Sequence, residues 1–185
     1  MHTFDDQDMK IFGSPKIENE ADVLIRIVEI MKKQRANGNL DRAKELGEHV
    51  ARKIYSLEDI DERISQYAEN ENIYEQIRML VTFAAEAEIH VLLEKYSVST
   101  MTVNALYDEL IKLDEDLYDN ITNAFTFYYL VLRKGGDIDS CMGRQFAKLC
   151  GDKDNETLSS LGTDIFVAIR NMIAEEISQA GFVTD

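Results

Sequence analysis

Met79-Leu80-Val81-Thr82-Phe83-Ala84-Ala85-Glu86-Ala87-Glu88-Ile89-His90-Val91-Leu92-Leu93 lies inside a run, Glu48 to Lys134, that contains neither glycine nor proline. Those two residues are the strongest breakers of regular structure, and a β protein needs turn residues every ten positions or so. A run this long without them reads as helix. At about 100° per residue, the apolar side chains of residues 79–93 point in nearly every direction, which marks a helix buried on all sides. The only proline, Pro15, stands ahead of the first apolar periodicity, where a helix entry tolerates it. The sequence predicts an all-α protein.

Outward from that helix, the other elements follow from period and punctuation. Residues 1–14 hold no sustained period and are expected to form a mobile arm, leaving 15–185 as a single α-helical domain. A helix over residues 17–36 would turn Leu24, Ile27, Val28 and Met31 inward, and Asn37-Gly38-Asn39 would close it. The next, over 40–55, carries Ala43, Leu46, Val50 and Ile54 on one face. Ser56-Leu57-Glu58-Asp59 resembles a capping box opening a helix with Ile60, Ile64 and Tyr67 inward. The apolar phase slips at Asn70-Glu71-Asn72, so the buried helix starts there and runs to about residue 96. Val103, Leu106, Leu110, Leu113, Leu117, Ile121, Ala124, Tyr128 and Val131 then keep one phase. They fit one helix of roughly 48 Å at 1.5 Å per residue, or two with a break at Asp119-Asn120. Gly135-Gly136 ends that run, and helices over 138–150 and 156–180 complete the chain. The expected architecture is a six- to seven-helix bundle with mostly short connections and one long helix.

Charge narrows the partners. With 35 acidic against 20 basic residues the chain carries −15, which disfavours nucleic acid and anionic membranes. No apolar run approaches the ~20 residues of a membrane span. Cys141 and Cys150 fall on opposite faces of one expected helix and cannot bridge within it, which suits a reduced, cytoplasmic setting. The charge is uneven: Arg26 to Lys53 holds eight basic residues and four acidic ones, a local +4. Asp108, Glu109, Asp114, Glu115, Asp116 and Asp119 are expected opposite the apolar face, as a solvent-facing stripe on which a basic partner could dock.

Motif searching yields little chemistry. Asn37 to Leu46, NGNLDRAKEL, resembles the turn and second helix of a tetratricopeptide repeat, and Gly136 to Cys141 repeats the shape. Glu71 and Asn104 stand where intermediate repeats would need glycine, so both segments read as independent tight turns. Ala43 to Gly47 is similar to the centre of a helix-turn-helix, but Lys53 occupies the position that should be apolar. Glu45 with His49, and Glu86 with His90 and Glu94, have the spacing of metal ligands on a helix. Neither set offers the Glu-x-x-His of a di-iron bundle, and solvated ion pairs explain them. Asp152 to Glu156 opens like a calcium loop, but Thr157 and Thr163 occupy the positions that need Gly and Glu. No nucleophile, phosphate-loop or zinc-protease motif is present, so no catalytic residue, metal or cofactor is assigned.

Association is the leading functional expectation, to a second copy or to another protein. Residues 124–132, Ala-Phe-Thr-Phe-Tyr-Tyr-Leu-Val-Leu, are apolar in nearly every direction, and a domain of this size encloses one such helix more readily than two. Phe127 and Leu130 point away from the continuous stripe and are the side chains expected at a homodimer contact. The alternative is a small-molecule site with a cavity lined by Tyr107, Tyr118, Tyr128 and Tyr129.

Overall fold

A computed structural model describes residues 20–57 and 60–183, the side chains of 20–22 and 117–123 excepted. The expected arm at 1–14 lies outside the described residues, as do the side chains of Tyr118 and Asp119. Seven α-helices follow one another: α1 (Glu20–Ala36), α2 (Asn39–Ser56), α3 (Glu71–Leu92), α4 (Tyr96–Leu113), α5 (Glu115–Lys134), α6 (Ile138–Leu149) and α7 (Glu156–Gln179). A short 3-10 helix, Glu62–Tyr67, stands between α2 and α3, and no strand occurs among the described residues.

Helix starts are set by short polar side chains that accept from the otherwise orphaned first N–H groups. Asn70 accepts from Ile73 N, Asp137 from Ser140 N and Asn155 from Leu158 N. Ser56 does not open a helix, contrary to its reading as a capping residue. Its hydroxyl donates to Lys53 O, and Leu57 closes α2 in a left-handed conformation (φ 55°) while its side chain is buried. The 3-10 helix is capped instead by Asp61, which accepts from Arg63 N.

The long run from 103 to 134 is two helices, and the break falls at Asp114 rather than at Asp119-Asn120. Asp114 is extended, and its carboxylate binds Arg78 of α3 at 2.8 Å. The turn folds α5 back against α4 and α3. Apolar phase alone did not reveal it, because the phase resumes across a one-residue break.

The helix α3 is the hub, touching α2, α4, α5, α6 and α7. Ile77, Leu80, Phe83, Ala84 and Ile89 are fully buried, as the all-round apolar pattern requires. Its last turn departs from that pattern: Val91 and Leu92 emerge from the bundle. Around the hub, α2 and α4 lie side by side in the same direction, since Gly47 meets Thr102 and Ala105 while Arg52, further along, meets Glu109. The second large contact joins α6 to α7, where Gly143 faces Ser159 and Gly162 faces Phe146. This pairing of α2 with α4 and α6 with α7 is unlike a row of stacked hairpins, so Gly38 and Gly136 serve as separate turns.

Candidate functional site

The least covered element is α1. Its foot is held by a buried amide pair: Asn39 Nδ2 donates to Gln34 Oε1 at 2.7 Å and to Val183 O at 2.9 Å. Val183 N returns a hydrogen bond to Asn39 Oδ1 at 2.8 Å, so the segment after α7 is tied to the α1–α2 turn. From Gln34 backwards, Ile30, Ile27 and Val23 continue the same helical face, and Met31, Val28 and Leu24 form the adjoining row. None of them meets a core. Leu24 is 62% exposed, Ile27 46%, Val28 48% and Met31 40%, which overturns the expectation that these four turn inward. The amphipathic stripe is real, but among the described elements α1 contacts chiefly α2 and α4, and its apolar side chains from Val23 to Met31 stay exposed.

The second uncovered surface is on α5. Ala124, Phe125, Tyr128 and Val131 are buried, whereas Phe127 and Leu130 are 44% and 45% exposed. The segment that reads as apolar all round is thus covered on one side only.

Two of the three described tyrosines of the expected cavity converge on a carboxylate, while the buried Tyr128 hydroxyl has no hydrogen-bond partner among the described residues. Tyr107 and Tyr129 both donate to Glu86, the latter at 2.6 Å. Burial, then the neighbouring Glu86 carboxylate, pushes the Tyr129 hydroxyl well above the usual phenol range. Tyr128 is fully buried, its ring 5.1 Å from that of Phe83, and burial raises its hydroxyl far above the ordinary value. Phe83 also takes Phe125 edge-on at 5.2 Å and Tyr129 at 5.1 Å, so these rings are packed against one another. Five surface clefts are lined by other residues.

Charges are distributed differently from the sequence pattern. Glu109 lies between Lys112 (3.0 Å) and Arg52 (2.7 Å), which hold its carboxyl below the ordinary value. With Asp114 bound to Arg78, the expected stripe is interrupted, leaving Asp108, Glu115 and Asp116 exposed. The basic segment is likewise used internally: Lys53 pairs with Glu176 at 2.6 Å, and His49 approaches the same carboxylate at 3.2 Å. Glu86 serves the tyrosines instead of an ion pair with His90. Among the described residues, no three His, Cys, Asp or Glu side chains are placed to hold a metal ion. Sequence reading missed one further ionic group, Glu88 of α3, which is buried and bound to Arg170 Nε at 2.7 Å. Arg170 also reaches Asp139 at 3.2 Å, linking α3, α7 and α6.

No described helix is long and apolar enough to cross a membrane. The chain matches no family model, and no curated protein or solved structure is significantly similar to it.

Proposed function

We propose that this protein works by association, with α1 as the contact helix and a second copy of the chain as its partner. The observation that supports the reading is the apolar stripe Leu24, Ile27, Val28 and Met31, exposed along about two turns of a charged protein. A stripe of that width normally faces a core, and exposed apolar patches of this kind mark association surfaces. The sequence of α1 is also self-complementary in charge. Arg26 and Glu29 flank its midpoint, and its end carries Lys32, Lys33 and Arg35. Antiparallel pairing about a two-fold axis beside Ile27 and Val28 sets Arg26 of one helix toward Glu29 of the other and Leu24 against Met31, and keeps the two basic ends apart. Parallel pairing would set like charges together. Near the foot of α1, Leu92 at the exposed end of α3 lines a cleft with Asn39, Phe182 and Val183. Two free cysteines suit a reducing compartment such as the cytoplasm.

Sedimentation equilibrium at micromolar protein, with Ile27→Asp and Phe127→Lys variants, tests this reading. The expected result is a dimer that Ile27→Asp converts to monomer and Phe127→Lys leaves intact. Dissociation by Phe127→Lys alone moves the contact to Phe127 and Leu130 on α5. A wild-type monomer across the range removes self-association altogether.

A further inference from the structure

Several cations on this molecule are paired with carboxylates. Arg52 has Glu109, Lys53 has Glu176, Arg63 has Asp61 and Asp164, and Arg78 has Asp114. One cleft gathers four cations that have no such pair among the described residues. Between the end of α5, one face of α6 and the α6–α7 loop lies a cleft of about 300 Å3 lined by Lys134, Arg144, Lys148 and Lys153. None of the four forms an ion pair with a carboxylate among the described residues.

Two of the nearby acids have hydrogen-bond partners elsewhere, although Asp137 also feels the charge of Arg144. Asp137 caps α6, accepting from Ser140 N at 3.3 Å and Ser140 Oγ at 2.6 Å. Asp152 accepts from Asn155 Nδ2 at 3.0 Å. Helix dipoles account for part of the cation pattern, since Lys134 and Lys148 stand in the last turns of α5 and α6. They do not account for Arg144, which is inside α6, or for Lys153, which is in a loop.

Of the remaining wall residues, Val131 is apolar, Cys141 is an acceptor and Gln145 is a further donor. Gln145 has its side-chain amide nitrogen buried with no acceptor. Arg144 Nη2 donates to Cys141 Sγ at 3.0 Å, a weak acceptor for a guanidinium with further N–H groups to place. Ammonium and guanidinium groups donate and cannot accept, and a buried amide N–H without an acceptor is costly. The cleft therefore presents a cluster of donors, and the complement is a compact, multiply charged oxyanion. We infer that it binds the phosphate group of a small phosphorylated molecule. A single carboxylate would leave most of four cations unmatched, whereas a phosphate monoester brings nearly two charges and three acceptor oxygens. The volume lies at the lower end for small-molecule sites. A nucleic-acid strand is disfavoured by the overall charge of −15.

The site is independent of the α1 contact and is tested separately. Inorganic phosphate is titrated into the isotopically labelled protein at constant ionic strength, with chloride as the reference anion, and amide shifts are followed. Saturable shifts confined to α6 and residues 150–155 are expected. Binding should weaken about tenfold in Arg144→Gln, the loss of one charged hydrogen bond. Lys112→Gln, which removes a paired cation elsewhere, should leave it unchanged. Alkylation of Cys141 by neutral iodoacetamide should slow severalfold at saturating phosphate, in line with its position in the wall. Shifts that do not saturate, an equal response to chloride, or equal weakening by Lys112→Gln would each reduce the effect to general charge screening and overturn the proposal. Unchanged affinity in a folded Arg144→Gln variant would do the same.

Discussion

Glu88 illustrates what a local pattern conceals. It stands among Ala84, Ala85, Ala87 and Ile89, in a segment whose apolar residues mark α3 as the buried hub. A carboxylate in that setting needs a counter-charge, and the one it finds is Arg170, 82 residues away in sequence. No spacing rule within α3 points to α7, so burial of the helix was legible and its ionic tie was not. Glu86 is a similar case: four-residue spacing relates it to His90, while its actual partners are the phenols of Tyr107 and Tyr129. The tie at Glu88 has a measurable consequence. Glu88→Ala removes the partner facing Arg170 Nε but leaves Asp139 at 3.2 Å, so the guanidinium is not wholly orphaned. Urea unfolding should show a loss of about 1–3 kcal/mol. A change near zero would mean that the pair is balanced by its own desolvation.

At the scale of elements, glycine carries two meanings, and only one is visible in sequence. Gly38 (φ 77°) and Gly136 (φ 88°) occupy turns that the left-handed region requires, and both were readable as helix ends. Gly47, Gly143 and Gly162 lie inside helices, where glycine is the poorest helix former after proline. They are there because two helices approach closely. A Cβ on Gly47 would lie 2.2 Å from Thr102 O and 2.8 Å from Ala105 Cβ, and one on Gly143 would lie 2.1 Å from Ser159 O. Which glycine serves a contact depends on which helix lies opposite, and that is not written in either helix alone. The same gap explains α1, whose apolar stripe has the same form whether its cover comes from its own chain or from another. The prediction follows from the clash at Gly47. Gly47→Ala gains about 1 kcal/mol of helix propensity. It should still lower the melting temperature, because the Thr102 obstacle is backbone and overpacking costs roughly 1–3 kcal/mol or more. A melting temperature that rises instead would show that α2 and α4 have room to separate.

For the whole molecule, acidity and stability are linked with a definite sign. Among the described residues, four carboxylates have folded pKa values below their ordinary ones. For Asp61 the main cause is the Arg63 hydrogen bond, for Glu109 the Lys112 hydrogen bond, and for Asp137 the Ser140 hydroxyl. In Glu176, burial pushes upward and is outweighed by Lys53 together with His49. A group whose pKa is depressed on folding adds stability above its unfolded value and loses it as pH falls through the folded one. The ordinary values are 3.8 for Asp and 4.5 for Glu, so these contributions are complete above about pH 4.5 and decline below it. Net charge acts in the opposite sense. At pH 7 the chain carries −15 and repels itself, and this repulsion fades toward the isoelectric point near 4.6. Melting temperature should therefore stay level or rise slightly from pH 7 to 5 and fall below pH 4.5. Thermal melts across that range, repeated in high salt, separate the two effects. Salt should flatten the upper limb, where long-range repulsion is screened, and preserve the acid decline, where paired carboxylates are protonated. Stability that continued to increase below pH 4 would mean that repulsion dominates throughout and that the ion pairs joining α2 to α4 and α2 to α7 contribute little to the fold.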